Sequence, residues 1–166
     1  GHCDFTVTCK QSGKKYTVEA KAIRREGAYG ATQNTSQSSL QQAIRNQLYD
    51  ALRKPSPHPR IIFVETNLPS QTREHAVASV KEAVAAVQNA ENLTINKAPT
   101  EAAYVFLTNH TPQYNLQGDS SRSVVPAGYK IPDFGYGKAF PSLREMYYAK
   151  QKHIDIHRIM DSLETH

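Results

Sequence analysis

The chain has 166 residues, of which 39% are hydrophobic, and a formal net charge of +5. That length fits one domain, spanning residues 1–166, large enough to bury its own core. The longest apolar runs are too short to cross a bilayer, which argues against a helical membrane protein. Cys3 and Cys9 are badly spaced for a mutual disulfide, so we expect a reducing, cytoplasmic compartment. The positive charge suits a polyanionic partner.

Two neighbouring segments near the start of the chain have the pattern of a β-hairpin. Residues 4–10 and 15–23 alternate apolar and polar side chains, as half-buried strands do. Ser12-Gly13 between them is a turn signal. We therefore predict a hairpin with one apolar and one polar face.

A tight turn at this point fixes the pairing of the two strands. It places Thr6 opposite Glu19 and Asp4 opposite Lys21. Because side chains alternate between faces, Asp4, Glu19 and Lys21 then share the polar face. A loop with any even number of residues preserves this parity, whereas a one-residue bulge would break it.

Two carboxylates and one amine on one face can form a compact hydrolytic site. Mg²⁺ takes oxygen ligands, often one or two carboxylates with waters and substrate phosphate. Asp4 and Glu19 can supply these oxygens, and the backbone carbonyl of Ala20 can add a third. Lys21 would orient a nucleophile or offset charge on a phosphate. The alternative is a solvated strand with a surface Glu/Lys pair, which contributes less than about 1 kcal/mol.

The hairpin resembles the core of the PD-(D/E)XK nuclease superfamily, in which an Asp begins one strand and Glu-x-Lys lies on the next. Asp4, Glu19 and Lys21 stand at those positions, and Cys3 replaces the Pro of the motif. The resemblance covers residues 3–66. It implies a restriction-endonuclease-like fold and Mg²⁺- or Mn²⁺-dependent hydrolysis of phosphodiester bonds, with nucleic acid, double-stranded DNA above all, as the partner.

The chain departs from the superfamily before Asp4. The family fold begins with a helix and a strand, whereas only Gly1-His2-Cys3 precede Asp4 here. The first predicted strand is therefore left with an unpaired edge. A second copy of the chain, or a segment preceding residue 1 in the native protein, would complete it. An inactive or incomplete nuclease-like domain that binds nucleic acid or protein is thus the alternative to an endonuclease.

Four further residues are candidates for contact with nucleic acid. Arg24 and Arg25 directly follow the Glu-x-Lys strand and would flank a scissile phosphate. In the superfamily the next helix often offers a Gln, a part that Gln41 or Gln47 could take. Residues 26–39 are predicted to form a loop, either beside the active site or as a plain connector.

The remaining elements predict an α/β fold with a mixed sheet and flanking helices. A hairpin, helix and strand form the nuclease-like core, and a helix–strand extension continues it to residue 109. Residues 110–141 are predicted to be irregular and packed by aromatic side chains. The predicted elements after the hairpin are a helix from Ser38 or Ser39 to Arg53, a strand at 60–66, a helix at 71–89, a strand at 103–109 and a C-terminal helix at 141–162.

Overall fold

A computed structural model describes residues 3–24, 39–69, 72–110 and 123–164. Arg25 and the predicted loop up to residue 38 lie outside these residues. In chain order the elements are β1 (Phe5–Thr8), β2 (Lys15–Ala22), α1 (Leu40–Leu52), β3 (Arg60–Glu65), α2 (Arg73–Asn89), a short 3-10 turn (Ala90–Asn92), β4 (Thr94–Ile95), β5 (Ala98–Pro99), β6 (Ala103–Asn109), β7 (Ser123–Tyr129), α3 (Leu143–Lys152) and α4 (Ile154–Glu164).

The main sheet has five strands in the order β1-β2-β3-β6-β7. The three central strands are parallel, and the outer strands β1 and β7 run antiparallel to their neighbours. Parallel neighbours need a crossover connection, which α1 supplies between β2 and β3 and α2 supplies between β3 and β6. The predicted α/β class and mixed sheet are confirmed.

Each face of the sheet packs against helices. Helices α1 and α2 cover one face, where the apolar stripe of α1 is buried: Leu40, Ile44, Leu48, Ala51 and Leu52. Helix α4 and the segment before α3 cover the other face, where Phe134 and Ile156 are buried against the sheet. The strand over Arg60–Glu65 is thus covered on both sides, as its near-continuous apolar run predicts. Ser39 begins α1, since its Oγ accepts a hydrogen bond from the Gln42 N–H at 3.1 Å.

The hairpin of β1 and β2 forms with the predicted parity but a different register. Thr6 lies opposite Thr17, not opposite Glu19 as predicted. Continuing this register places Asp4 opposite Glu19, so the predicted pairing of Asp4 with Lys21 is also wrong. The displacement is an even number of residues, so Asp4, Glu19 and Lys21 still share one face.

The register differs because the hairpin connection is centred between Gln11 and Ser12, one residue before the predicted centre between Ser12 and Gly13. It covers residues 9–14, with the Cys9 N–H donating to the Lys14 carbonyl at 2.8 Å. Within this connection, the Ser12 Oγ donates to Asp155 Oδ2 at 2.6 Å. Asp155 lies on α4, far along the chain. Turn signals in the local sequence carry no information about such a contact.

The segment 110–141 contains a strand that its composition does not predict. Ser123–Tyr129 pairs antiparallel with β6 as an edge strand, although the segment is predicted to be irregular. Pro126 is compatible with an edge position, where one side of the strand needs no ladder hydrogen bonds. Gly128 is required by close packing, since a Cβ there would lie 2.2 Å from the Ile131 carbonyl oxygen.

The C-terminal region forms two helices where one is predicted. The break is at His153, whose backbone leaves the helical region at φ −112° and ψ 30°. Its ring is held by Tyr104 Oη at Nδ1 and by Asp133 Oδ1 at Nε2, both at 2.7 Å. Several apolar side chains of α3 are exposed, among them Leu143 at 82% and Tyr147 at 59%.

A buried arginine closes the C-terminal end of α1. Arg60, only 4% exposed, donates from Nη2 to the Lys54 carbonyl at 2.7 Å and from Nη1 to the Ala51 carbonyl. The last turn of α1 has no basic residue of its own. Arg60 therefore supplies the cation that a helix C-terminus favours and fixes the backbone at Lys54.

We expect Arg60→Met to lower the free energy of unfolding by about 2–3 kcal/mol, because buried carbonyls lose charged donors. Urea denaturation monitored by circular dichroism would measure this loss. Arg53→Met is the matched control, since Arg53 is exposed and forms an exposed ion pair with Asp50 at 3.4 Å. The control should cost less than about 1 kcal/mol. Equal losses in both variants would contradict the role given to Arg60.

Candidate functional site

Two hydrogen bonds join Asp4, which directly precedes β1, to Glu19 and Ala20 of β2. The Ala20 N–H donates to Asp4 Oδ2 at 2.8 Å, and the Asp4 N–H donates to Glu19 Oε1 at 3.1 Å. Each bond occupies one oxygen of a carboxylate. The other two oxygens, Asp4 Oδ1 and Glu19 Oε2, converge on a common point.

The ammonium group of Lys54 lies at that point. Its Nζ is 2.8 Å from Glu19 Oε2 and 3.6 Å from Asp4 Oδ1. A second lysine is close by, with Lys21 Nζ 3.4 Å from the same oxygen of Glu19. We call Asp4, Glu19, Lys21 and Lys54 the acid–lysine cluster. It combines two negative and two positive charges.

The cluster is buried at one end and open at the other. The Glu19 side chain is 0% exposed, Lys21 is 18% exposed, and Asp4 is 40% exposed. A carboxylate as buried as Glu19 needs cationic partners and hydrogen bonds, because desolvation of an isolated charge is costly. The cluster provides them while leaving the Asp4 side accessible from solvent.

The charges of the cluster reinforce one another. The hydrogen bond from the Ala20 N–H lowers the pKa of Asp4, burial opposes this, and the nearby Lys54 and Lys21 ammonium groups add to it. The hydrogen bond to Glu19 raises the pKa of Lys54, against the effect of burial and with the help of the Glu19 and Asp4 charges. Asp4 and Lys54 are therefore both ionised at neutral pH.

The structure brings the predicted residues Asp4, Glu19 and Lys21 together. The backbone of Ala20 lies beside them. Since the N–H and C=O of one residue point to the same side of a strand, the Ala20 carbonyl faces the Asp4 edge of β2, like the N–H that Asp4 accepts.

The predicted nucleic-acid contacts lie outside the cluster. Arg24 is exposed just beyond the end of β2. Gln41 is exposed near the start of α1, about 16 Å along the helix axis from Leu52 at 1.5 Å per residue. Gln47 is half-buried on the same helix. Gln41 thus lies at the opposite end of α1 from Lys54, whereas Arg24 follows Lys21 by three residues in the chain.

Sequence reasoning missed Lys54. The one feature of the local sequence that sets Lys54 apart is its position between the end of α1 and Pro55. Hairpin parity concerns two strands and does not include a residue contributed after an intervening helix. The parallel crossover through α1 is what returns Lys54 to Glu19.

The donor set of the cluster fits a hard divalent cation. Asp4 Oδ1 and Glu19 Oε2 already share one cation, and Mg²⁺ sites often use one or two carboxylates with waters and phosphate oxygens. Among the described residues, no group of three or more His, Cys, Asp and Glu side chains is placed to hold a metal ion. A divalent ion would therefore depend on these two carboxylates, the Ala20 carbonyl, and oxygens from water or substrate.

Comparison of the chain with protein-family models, with curated proteins and with solved structures finds no match. In the part of the chain that the structure describes, no helix combines the length and apolar character needed to cross a membrane. The functional interpretation therefore depends on the geometry of the acid–lysine cluster.

The pKa shifts of Asp4 and Lys54 predict that the stability of the fold depends on pH. The contribution of Asp4 is lost at low pH, and that of Lys54 is lost at high pH. The Asp4 pKa is lowered on folding, so its contribution is present above the ordinary pKa and lost as pH falls through the folded value. The Lys54 pKa is raised, so its contribution is present below the ordinary pKa and lost as pH rises through the folded value. Urea denaturation across pH should show the Asp4→Asn defect shrinking below about pH 4 and the Lys54→Gln defect shrinking above about pH 10.5.

A defect independent of pH in either variant would instead indicate lost packing. Asp4 is substantially exposed, so its effect should stay below about 1 kcal/mol even at neutral pH.

Proposed function

We propose that the acid–lysine cluster is the centre of a Mg²⁺- or Mn²⁺-dependent nuclease that hydrolyses phosphodiester bonds, acting as an endonuclease on double-stranded DNA. One observation carries the proposal. The free oxygens of Asp4 and Glu19 converge on one cation position, and Lys21 Nζ lies 3.4 Å from Glu19. Two carboxylate oxygens on one cation position, with an ammonium group beside them, are suited to metal-assisted hydrolysis of a phosphodiester.

The order of elements supports the same proposal. The acidic hairpin β1–β2 is followed by α1 and by β3, which pairs parallel to β2. This order agrees with the nuclease-like core that the resemblance implies. The pair α2–β6 extends the sheet beyond that core.

The residues of the cluster have distinct roles in this proposal. Asp4, Glu19 and the Ala20 carbonyl would hold the divalent ion. When bound, the ion supplies positive charge that polarises a phosphoryl oxygen and acidifies an attacking water. Lys21 orients the water or stabilises charge that develops on the phosphate. Its ammonium has a defined position because it is held by Glu19.

Contacts outside the cluster would position the nucleic acid. Arg24, exposed beyond β2, is suited to a backbone phosphate, and Arg25 follows it in the sequence. Gln41 and Gln47 on α1 would act only as peripheral contacts, since neither belongs to the cluster.

A second candidate function is a nuclease-like domain that binds nucleic acid or protein without cleaving it. The observation that favours it is the charge balance of the cluster, in which two lysines neutralise two carboxylates. Such a cluster can stabilise the fold without a bound metal ion.

A cleavage assay with Mg²⁺ or Mn²⁺ separates the two functions. We expect Glu19→Gln and Lys21→Met each to reduce the cleavage rate of supercoiled plasmid by about a hundredfold or more, because each removes charge that acts on the transition state. Arg53→Gln is the control, since it removes one positive charge outside the cluster and should cleave like the wild type. Circular dichroism would verify that each variant is folded.

Cleavage by the wild type that survives both substitutions would refute the catalytic assignment. Absence of cleavage by the wild type, combined with DNA binding that Glu19→Gln leaves unchanged, would establish the binding function instead. A parallel assay on single-stranded RNA would identify the substrate class.

A further inference from the structure

Lys54 occupies the cation position that the two carboxylates create. Its Nζ lies 2.8 Å from Glu19 Oε2 and 3.6 Å from Asp4 Oδ1, the two carboxylate oxygens that do not accept the hydrogen bonds from the Asp4 and Ala20 N–H groups. These are also the oxygens that a divalent ion would use. An ammonium group and a metal ion compete for the same lone pairs, and their positive charges repel at this distance.

The backbone of Lys54 is fixed by hydrogen bonds, whereas its ammonium is held only by the ion pairs of a flexible side chain. The Lys54 N–H donates to the Ala51 carbonyl at 3.3 Å, and the Lys54 carbonyl accepts from Arg60 Nη2 at 2.7 Å. The side chain is 20% exposed, and its ammonium is carried on a flexible four-carbon stem. The ammonium can therefore leave the carboxylates for solvent without a change in the fold.

We infer that Lys54 is the resident counter-cation of the cluster, and that a divalent metal binds by exchange with its ammonium group. The inference rests on the proposed nuclease function and specifies how its metal site is regulated. The protein alone binds metal weakly, because each binding event must first break the ion pairs of Lys54. A substrate phosphate accepts the displaced ammonium, so metal and nucleic acid bind cooperatively.

Titration with Mn²⁺, followed by electron paramagnetic resonance of the free ion, tests the exchange without any cleavage. Lys54→Gln should bind Mn²⁺ at least about tenfold more tightly than the wild type, because the competing cation is gone. Arg53→Gln is the matched control, since it removes the same charge from the adjacent residue and should retain wild-type affinity. Asp4→Asn in the Lys54→Gln background should abolish the gain.

Thermal unfolding provides a second, independent measurement. Lys54→Gln should unfold at a lower temperature than the wild type without metal, because buried Glu19 loses its nearest ion-pair partner. The same excess of Mn²⁺ should then raise the midpoint of Lys54→Gln more than that of the wild type, since at one ligand concentration the stabilisation grows with the logarithm of [L]/Kd. Lys54→Arg retains the positive charge and should bind Mn²⁺ no more tightly than the wild type.

The outcomes separate the inference from the function on which it rests. Equal Mn²⁺ affinity in the wild type and Lys54→Gln, with binding abolished by Asp4→Asn, overturns the exchange but leaves the metal-dependent function standing. Tighter binding by Lys54→Arg overturns the exchange as well. A lack of Mn²⁺ binding in all variants, together with no cleavage, overturns both.

Discussion

The buried carboxylate of Glu19 is the constraint on which the rest of the site depends. Its side chain has no exposed surface, and a charge in that position is tolerated only with cationic partners and hydrogen bonds. Three separate parts of the chain meet this requirement: the backbone of Asp4 before β1, Lys21 on β2 and Lys54 after α1. The position of each is thereby tied to one buried charge.

Buried carboxylates hold the hairpin of β1 and β2 at both of its ends. At the connection, Asp155 of α4 accepts hydrogen bonds from Ser12 at 2.6 Å and Tyr16 at 2.8 Å. Burial on its own raises the pKa of Asp155, but the bonds from Ser12, Tyr16 and Cys9 outweigh it and leave the pKa lowered. At the open end of the hairpin, Glu19 has the same role, since it accepts a hydrogen bond from the Asp4 N–H and pairs with Lys54. One hairpin is thus tied to α1 through Lys54 and to α4 through Asp155.

Patterns in the local sequence predicted most helices and strands. The features that they did not predict involve contacts between residues far apart in the chain. Period-two alternation gave the hairpin and its faces, and the stripe from Leu40 to Leu52 gave α1. The hairpin connection contacts Asp155 through Ser12, and the helix break at His153 coincides with the contacts of its ring to Tyr104 and Asp133. Neither is encoded in neighbouring residues. The same reason explains why Asp4, Glu19 and Lys21 were found together but Lys54 was not.

Asp4 and Glu19 belong to parts of the sheet that differ in how easily they open. Glu19 lies within an interior strand that is paired on both sides, whereas Asp4 precedes β1, a short outermost strand whose residues are largely exposed. Edge segments with few buried contacts fray at a free-energy cost well below that of global unfolding. Fraying of β1 would carry Asp4 away while Glu19, Lys21 and Lys54 stay together. Asp4 would thus leave the acid–lysine cluster each time β1 detaches from the sheet, whereas Glu19 would stay in it.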